Sequence, residues 1–177
     1  MLHTPIRITG QELIFEKNCV NLEMNNSVDI PFKSVLGISN FHKPSTGYSN
    51  KNEFKKSYIC QANLRMASLF KANLEGAEIV GSSFCNTNLT EANLKNSNCR
   101  GTDFEGAILL KANLGQVDLL STFLEDADLR YANLKGAKNL SIEQLQGAKT
   151  LFQAKLDPKL MELVKTTNPN LLKEPQK

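Results

Sequence analysis

Four cysteines, two histidines and a scatter of carboxylates are the residues of this 177-residue chain whose types could do chemistry. Cys19, Cys60, Cys85 and Cys99 contain no close pair, so neither a dithiol redox couple nor a zinc-ligand spacing is encoded. His3 and His42 lack partners at a recognisable spacing, whereas general acid–base work needs a base oriented by a second group. Glu75 with Glu78, and Glu125 with Asp126 and Asp128, are the residue types that hydrolyse glycosides or hold cations. They recur in a segment that reads as a convex surface without a cleft, so they are read as a solvated face. No glycine-rich phosphate loop is present, because the glycines follow the repeat described next. The sequence therefore assigns no catalytic residue, no cofactor-binding residue and no metal ligand, and no cofactor is expected.

What must position these side chains is a stretch, residues 52–137, in which chemical character recurs every five positions. Large apolar centres fall at Phe54, Ile59, Leu64 and so on to Leu134, seventeen in all, and eleven of them are Leu. Two residues before each centre, from Ser57 to Ala137, only Ala, Ser, Thr and Val occur. Neither regular element explains this, since helix surfaces repeat near 3.6 residues and strand faces at 2. On a helix a period of five drifts by roughly 140° per unit and sprays the centres over every face.

A chain that turns at a fixed interval does fit, with the centre and the small residue both pointing inward and a bend before the next unit. No five-residue unit buries its centre alone, so the chain must coil and stack, hydrogen-bonding turn to turn at about 4.8 Å. Ser82, Thr102 and Thr122 lie twenty residues apart, one buried column if the coil has four sides, and need hydroxyl partners. Gly76, Gly81, Gly101, Gly106 and Gly136 stand two after a centre, where a left-handed backbone is expected. Lys, Glu and Asp also stand there, so the bend does not require glycine. Cys99 is a centre, and Cys60 and Cys85, one after a centre, are expected to face outward.

The segments QANLRMASLFKANLEGAEI, TEANLKNSN, EGAILLKANLG and EDADLRYANLKGA resemble the pentapeptide-repeat family, with its A(D/N)LXX consensus. The resemblance covers about half the chain and implies an all-β solenoid, a right-handed quadrilateral β-helix of about four coils with a solid interior. Some family members mimic duplex DNA and bind type II topoisomerases such as gyrase, a role resting on a strongly acidic surface. Residues 52–137 carry nine Lys and Arg against ten acidic side chains, a net of −1 that makes a poor mimic.

In chain order, residues 1–50 read as an N-terminal cap or extension, with two or three short strands over 1–36 at the apolar runs 6–8, 13–15 and 28–30, and a loop over 37–51. Residues 51–138 are the β-helix. Residues 139–177 form a C-terminal cap: Ser141 with Gln144 makes a capping box for a helix over 142–148, with Leu145 facing the coil. Asp157 as N-cap and Pro158 open a second helix to about 166, with Leu160, Leu163 and Val164 on one side, before a frayed tail. No secretion signal or membrane span is read, which favours a cytoplasmic protein that does not engage membranes, export by a signal-less route aside.

With a formal net charge of +3 and dispersed basic residues, nucleic-acid binding is not expected. A protein partner is, and a homodimer through a solenoid end is one form of it. Outward positions hold one anomaly: Phe70, Val80, Ile108, Leu110, Leu120 and Phe123 are apolar in a polar setting, which marks a contact surface. Residues 1–50 folding back, or another protein, would cover it. The function read is thus a non-enzymatic scaffold or protein-interaction module. The alternatives are a gyrase-binding DNA mimic, and an enzyme or ligand-binding protein whose site is formed by the N-terminal segment.

Overall fold

The computed structural model describes residues 54–56 and 58–175. The expected strands over 1–36, the loop over 37–51 and Cys19, His3 and His42 lie outside the described residues. From residue 58 the chain is a coil whose successive turns are joined by parallel backbone bridges between residues twenty apart. Twenty residues hold four units, so the coil has four sides. The first face runs through Tyr58, Glu78, Asn98, Asp118 and Lys138, and the second through Asn63, Ser83, Asp103 and Phe123. The third begins at Ser68 and runs through Ile108 and Asp128, and the fourth at Asn73, through Asn93, Asn113 and Asn133.

Each corner is a reverse turn. In one, the Ala67 N–H donates to Leu64 O at 3.1 Å, and the residue two after the centre has a left-handed backbone. That conformation recurs at all seventeen such positions from Lys56 to Gly136, with φ between 54° and 68°, and twelve of the seventeen are not glycine. A positive φ at the third residue of a hydrogen-bonded turn is the type II arrangement. Corner backbones also bridge coils, as Met66 N–H does to Cys85 O at 2.9 Å.

The centres fill the axis: Leu64, Leu69, Leu74, Phe84, Leu94 and Phe104 are fully buried, and the Phe84 and Phe104 rings tilt together at 5.5 Å. Burying one such side chain stabilises by about 1.5–3 kcal/mol. The small position lets backbone pass close by, and its hydroxyls are satisfied. Thr87 Oγ1 donates to Leu64 O at 2.6 Å and Thr102 Oγ1 to Ile79 O at 2.7 Å, both on the preceding turn. Ser82 donates likewise to Ile59 O and stacks with Thr102 and Thr122 in one column.

Beyond Ala137 the twenty-residue register lapses but the unit does not. Leu151 and Leu156 are again buried centres, and their bridges, Asp128 to Thr150 and Asn133 to Lys155, span twenty-two residues. The two extra residues accommodate the helix Ile142–Gln146, shorter than expected, which carries the capping box and buries Leu145. Its Gln144 amide donates to Leu119 O and Thr122 O, both at 2.9 Å, reaching carbonyls at the end of the coil.

Three expectations for the tail are corrected. Asp157 precedes the helix Pro158–Thr167 but its side chain does not cap it, because the carboxylate accepts the Gly136 N–H at 3.1 Å instead. Leu163 is exposed, and it is Val164 that is buried. The tail is ordered as far as the 3-10 helix Pro169–Leu172, which buries Leu171, whose carbonyl accepts the Leu151 N–H at 2.7 Å where a further coil would have supplied an acceptor.

Leu94→Ala is expected to cost about 3 kcal/mol by leaving a cavity in the axis. Gly101→Ala, where the added methyl meets nothing closer than 4.0 Å, isolates the turn. It should cost about 1 kcal/mol from backbone strain alone. Urea unfolding of both variants measures the two terms separately.

Candidate interaction surface

Bridged residues point away from the axis, and the two residues at each corner form its rim. On the fourth face the result is an asparagine ladder. Asn93 donates to Asn73 at 3.3 Å, Asn113 to Asn93 at 3.1 Å, and Asn133 to Asn113 at 3.0 Å. Each Oδ1 also accepts an N–H two residues on, as Asn113 does from Gly115 at 3.2 Å, so every amide is oriented. A neutral face of mutually hydrogen-bonded amides results.

The charges are not spread evenly round the coil. Between residues 54 and 137 the first two faces and the corners that follow them hold six carboxylates against Arg65 and Arg100. The third and fourth faces with their corners hold seven lysines and arginines against Glu75, Glu91 and Asp128. One half therefore carries −4 and the other +4, a separation that a linear count of near zero conceals. The ion pairs of the coil stay within halves: Lys55 with Glu75 at 3.4 Å, Lys71 with Glu91 at 3.3 Å and Arg130 with Asp128 on the basic side, Arg100 with Asp118 at 3.3 Å on the acidic.

The six apolar candidates fall into two groups rather than one. Val80 and Leu120 lie on the first corner with Arg100 between them in the stack, and Phe123 is on the second face beside them. Phe70 and Leu110 lie on the third corner, diagonally opposite, with Thr90 between, and Ile108 is on the third face. Phe70, Ile108, Leu120 and Phe123 are exposed, while Val80 and Leu110 are half-buried. Tyr131, 47% exposed and edge-on to Phe152 at 5.7 Å, extends the third-corner group. Tyr58 and Met66 are more exposed still. These three occupy outward positions of the same repeat, so the rule that found the six would have found them.

Cys60 and Cys85 do not face solvent as expected; both are buried. A corner side chain lies between its counterparts one coil away, and a short one such as Cys85, with the longer Arg65 and Glu105 twenty residues to either side, is buried. The Cys60 thiol donates to Glu78 O at 3.6 Å, and the Asn86 amide to Cys85 Sγ at 3.2 Å. Burial raises the Cys85 pKa and pushes Cys99 up to about 12, so both are protonated, unreactive thiols. Cys85 Sγ and oxygens of Asp103 and Glu105 lie within 4.8 Å of one another. With a protonated thiol and an exposed Glu105, this is a weak donor set.

The description "Pentapeptide repeats" matches residues 67–109, 87–126 and 107–138, eight copies in all. A pentapeptide repeat protein from Nostoc Pcc 7120 is 32% identical over 54% of this chain and 84% of that one, with a TM-score of 0.43. A pentapeptide repeat protein of the Arabidopsis thaliana thylakoid lumen is 18% identical over 69% and 84%, with a TM-score of 0.50, and shares the right-handed quadrilateral β-helix. QnrB1, a plasmid-mediated fluoroquinolone resistance protein, is 18% identical over 63% and 70%, with a TM-score of 0.29. No curated protein matches the chain. No helix among the described residues is long and apolar enough to cross a membrane.

Two outward carboxylates help to hold the coil. Burial raises the Asp128 pKa, but side-chain and backbone hydrogen bonds from Arg130 more than offset it and hold the group below its ordinary value. Asp118 is lowered in the same way, burial being outweighed by hydrogen bonds from Asn139 and the Leu120 N–H and by the charges of Arg100 and Lys138. A depressed carboxylate contributes stability that is full above its unfolded pKa, about 3.9, and is lost as pH falls through the folded value. Asp128→Asn should therefore cost about 1 kcal/mol at neutral pH. Its thermal stability should also fall less than that of the natural chain between neutral pH and strongly acid pH, as scanning calorimetry across that range would reveal.

Proposed function

Since the chain belongs to the pentapeptide-repeat family, we propose that it is a non-enzymatic interaction module, a rigid post that presents side chains at fixed spacing to a protein partner. The observation that carries this reading is the filled axis: the large side chains of each unit are spent on one another, and what remains is a patterned exterior. A reacting atom needs convergent groups and excluded water. Among the described residues the outward polar groups diverge apart from the weak Cys85, Asp103 and Glu105 set, and burial keeps the Cys85 and Cys99 thiols protonated.

In this reading residues 51–138 form the working surface, on the order of four coils long. Residues 1–50 and 139–177 close its two ends. The Gln144 amide, Asp157 and the Leu171 carbonyl support the C-terminal assignment, because each satisfies a backbone group that the coil leaves open. A cytoplasmic setting suits the two buried free thiols Cys85 and Cys99.

The gyrase-binding alternative gains one observation, the net charge of −4 on one half of the coil. Inhibition of supercoiling by the purified protein would support it. The enzyme or ligand-binding alternative would place its site on residues 1–50, outside the described residues.

The two apolar groups are the proposed contact points. Leu110→Ser with Leu120→Ser should weaken capture of the natural partner at least about tenfold, the scale of losing 1.4 kcal/mol at an interface. Far-UV circular dichroism should stay unchanged, since neither side chain lies on the axis. Undiminished capture by this folded double variant would remove both groups from the contact.

A further inference from the structure

We propose that the partner accommodated by this surface includes a second copy of the chain, docked side against side with the coil axes antiparallel. The proposal rests on the reading of the coil as an interaction module and names its occupant. Round the square section the corners alternate in character. The first carries Val80 and Leu120 with Arg100 between them, and the second Glu105, Glu125 and Asp126 beside Arg65 and Met66. The third carries Phe70, Leu110 and Tyr131, with Lys71 and Arg130 engaged by Glu91 and Asp128 and Lys111 left over, and the fourth Lys56, Lys95 and Lys135 beside the Lys55–Glu75 pair. Apolar corners are diagonally opposite, and so are the acidic and basic ones.

The second face is thus edged by an apolar and an acidic corner, and the fourth face, opposite it, by an apolar and a basic one. If two copies met second face to fourth with axes parallel, each apolar corner would fall against a charged one. Reversing one axis brings apolar against apolar and carboxylate against lysine. Val80 and Leu120 are two coils apart, as are Phe70 and Leu110, so both apolar pairs present the same spacing of about 10 Å. The edge charges are available. Glu105, Glu125 and Asp126 on one side, and Lys56, Lys95 and Lys135 on the other, have no ion pair within 4.0 Å among the described residues. The asparagine ladder gives the fourth face a neutral, hydrogen-bonded floor on which a second face can lie. Apolar contacts rimmed by complementary charge are the composition of protein interfaces. The contact is heterologous, so it leaves a free half at each end and extends to rows as concentration rises.

Sedimentation velocity on the full-length protein, over a concentration series at low and high salt, tests this. Association should weaken about tenfold as the screening length falls from about 30 Å at 0.01 M salt to about 8 Å at 0.15 M. Glu105→Lys with Glu125→Lys, and separately Lys95→Glu with Lys135→Glu, should each be monomeric. An equimolar mixture of these two variants should co-assemble with the two alternating along the row, which a role of these residues in folding alone would not produce. A natural chain that stays monomeric at low salt overturns the proposal, and so does a salt-independent dimer, which would point to contact through a solenoid end. Partner capture by the same charge variants separates the two readings. If they still bind another protein while the natural chain never self-associates, the interaction module stands and this occupant falls.

Discussion

A left-handed residue at every fifth position governs this molecule. It lets the backbone turn one corner after each centre, and the turn brings the next centre back to the axis. Burial of the centres and bending of the corners are therefore one coupled event: neither a single buried Leu nor a single turn is stable without the stack above and below it. Twelve of the seventeen left-handed positions carry a side chain, at a cost of about 1 kcal/mol or more each compared with glycine. The axis offsets that cost, and the chain keeps functional groups on its corners in return.

Those corners decide what the surface offers. A corner side chain is flanked by its counterparts twenty residues away, so its exposure depends on its neighbours' length as much as on its own polarity. Cys85 disappears between Arg65 and Glu105 for this reason, while Phe70 and Leu120 stay in view. The same stacking gathers charges that are interleaved in the sequence into an acidic half and a basic half. An exterior organised in columns, over an interior with no room left, suits recognition of extended surfaces better than capture of a small molecule.

The C-terminal end shows how such a stack stops. Repetition would leave an open sheet edge, a template for further pairing. Here an inserted helix supplies the Gln144 amide, a carboxylate takes the Gly136 N–H, and a 3-10 turn presents the Leu171 carbonyl to Leu151. Different groups do one job, which is why the end looks irregular in sequence while remaining well hydrogen-bonded.

The sequence by itself determined the coil: the phase of Leu64, Leu94 and their counterparts, the small inward residues, the column of Ser82, Thr102 and Thr122, and the capping box at Ser141. These are legible because each depends on neighbours within five residues or on a strict count of twenty. It passed over Leu151 and Leu156, because a two-residue shift hides a unit from any fixed count, and it misjudged Asp157, whose carboxylate had a choice of donors. Only the tertiary structure decided that Phe70 and Leu110 stand diagonally across from Val80 and Leu120, and that a net charge near zero is two opposed charges. Those relations depend on the order of the corners around the section, a property of the closed coil that a linear string of residues does not contain.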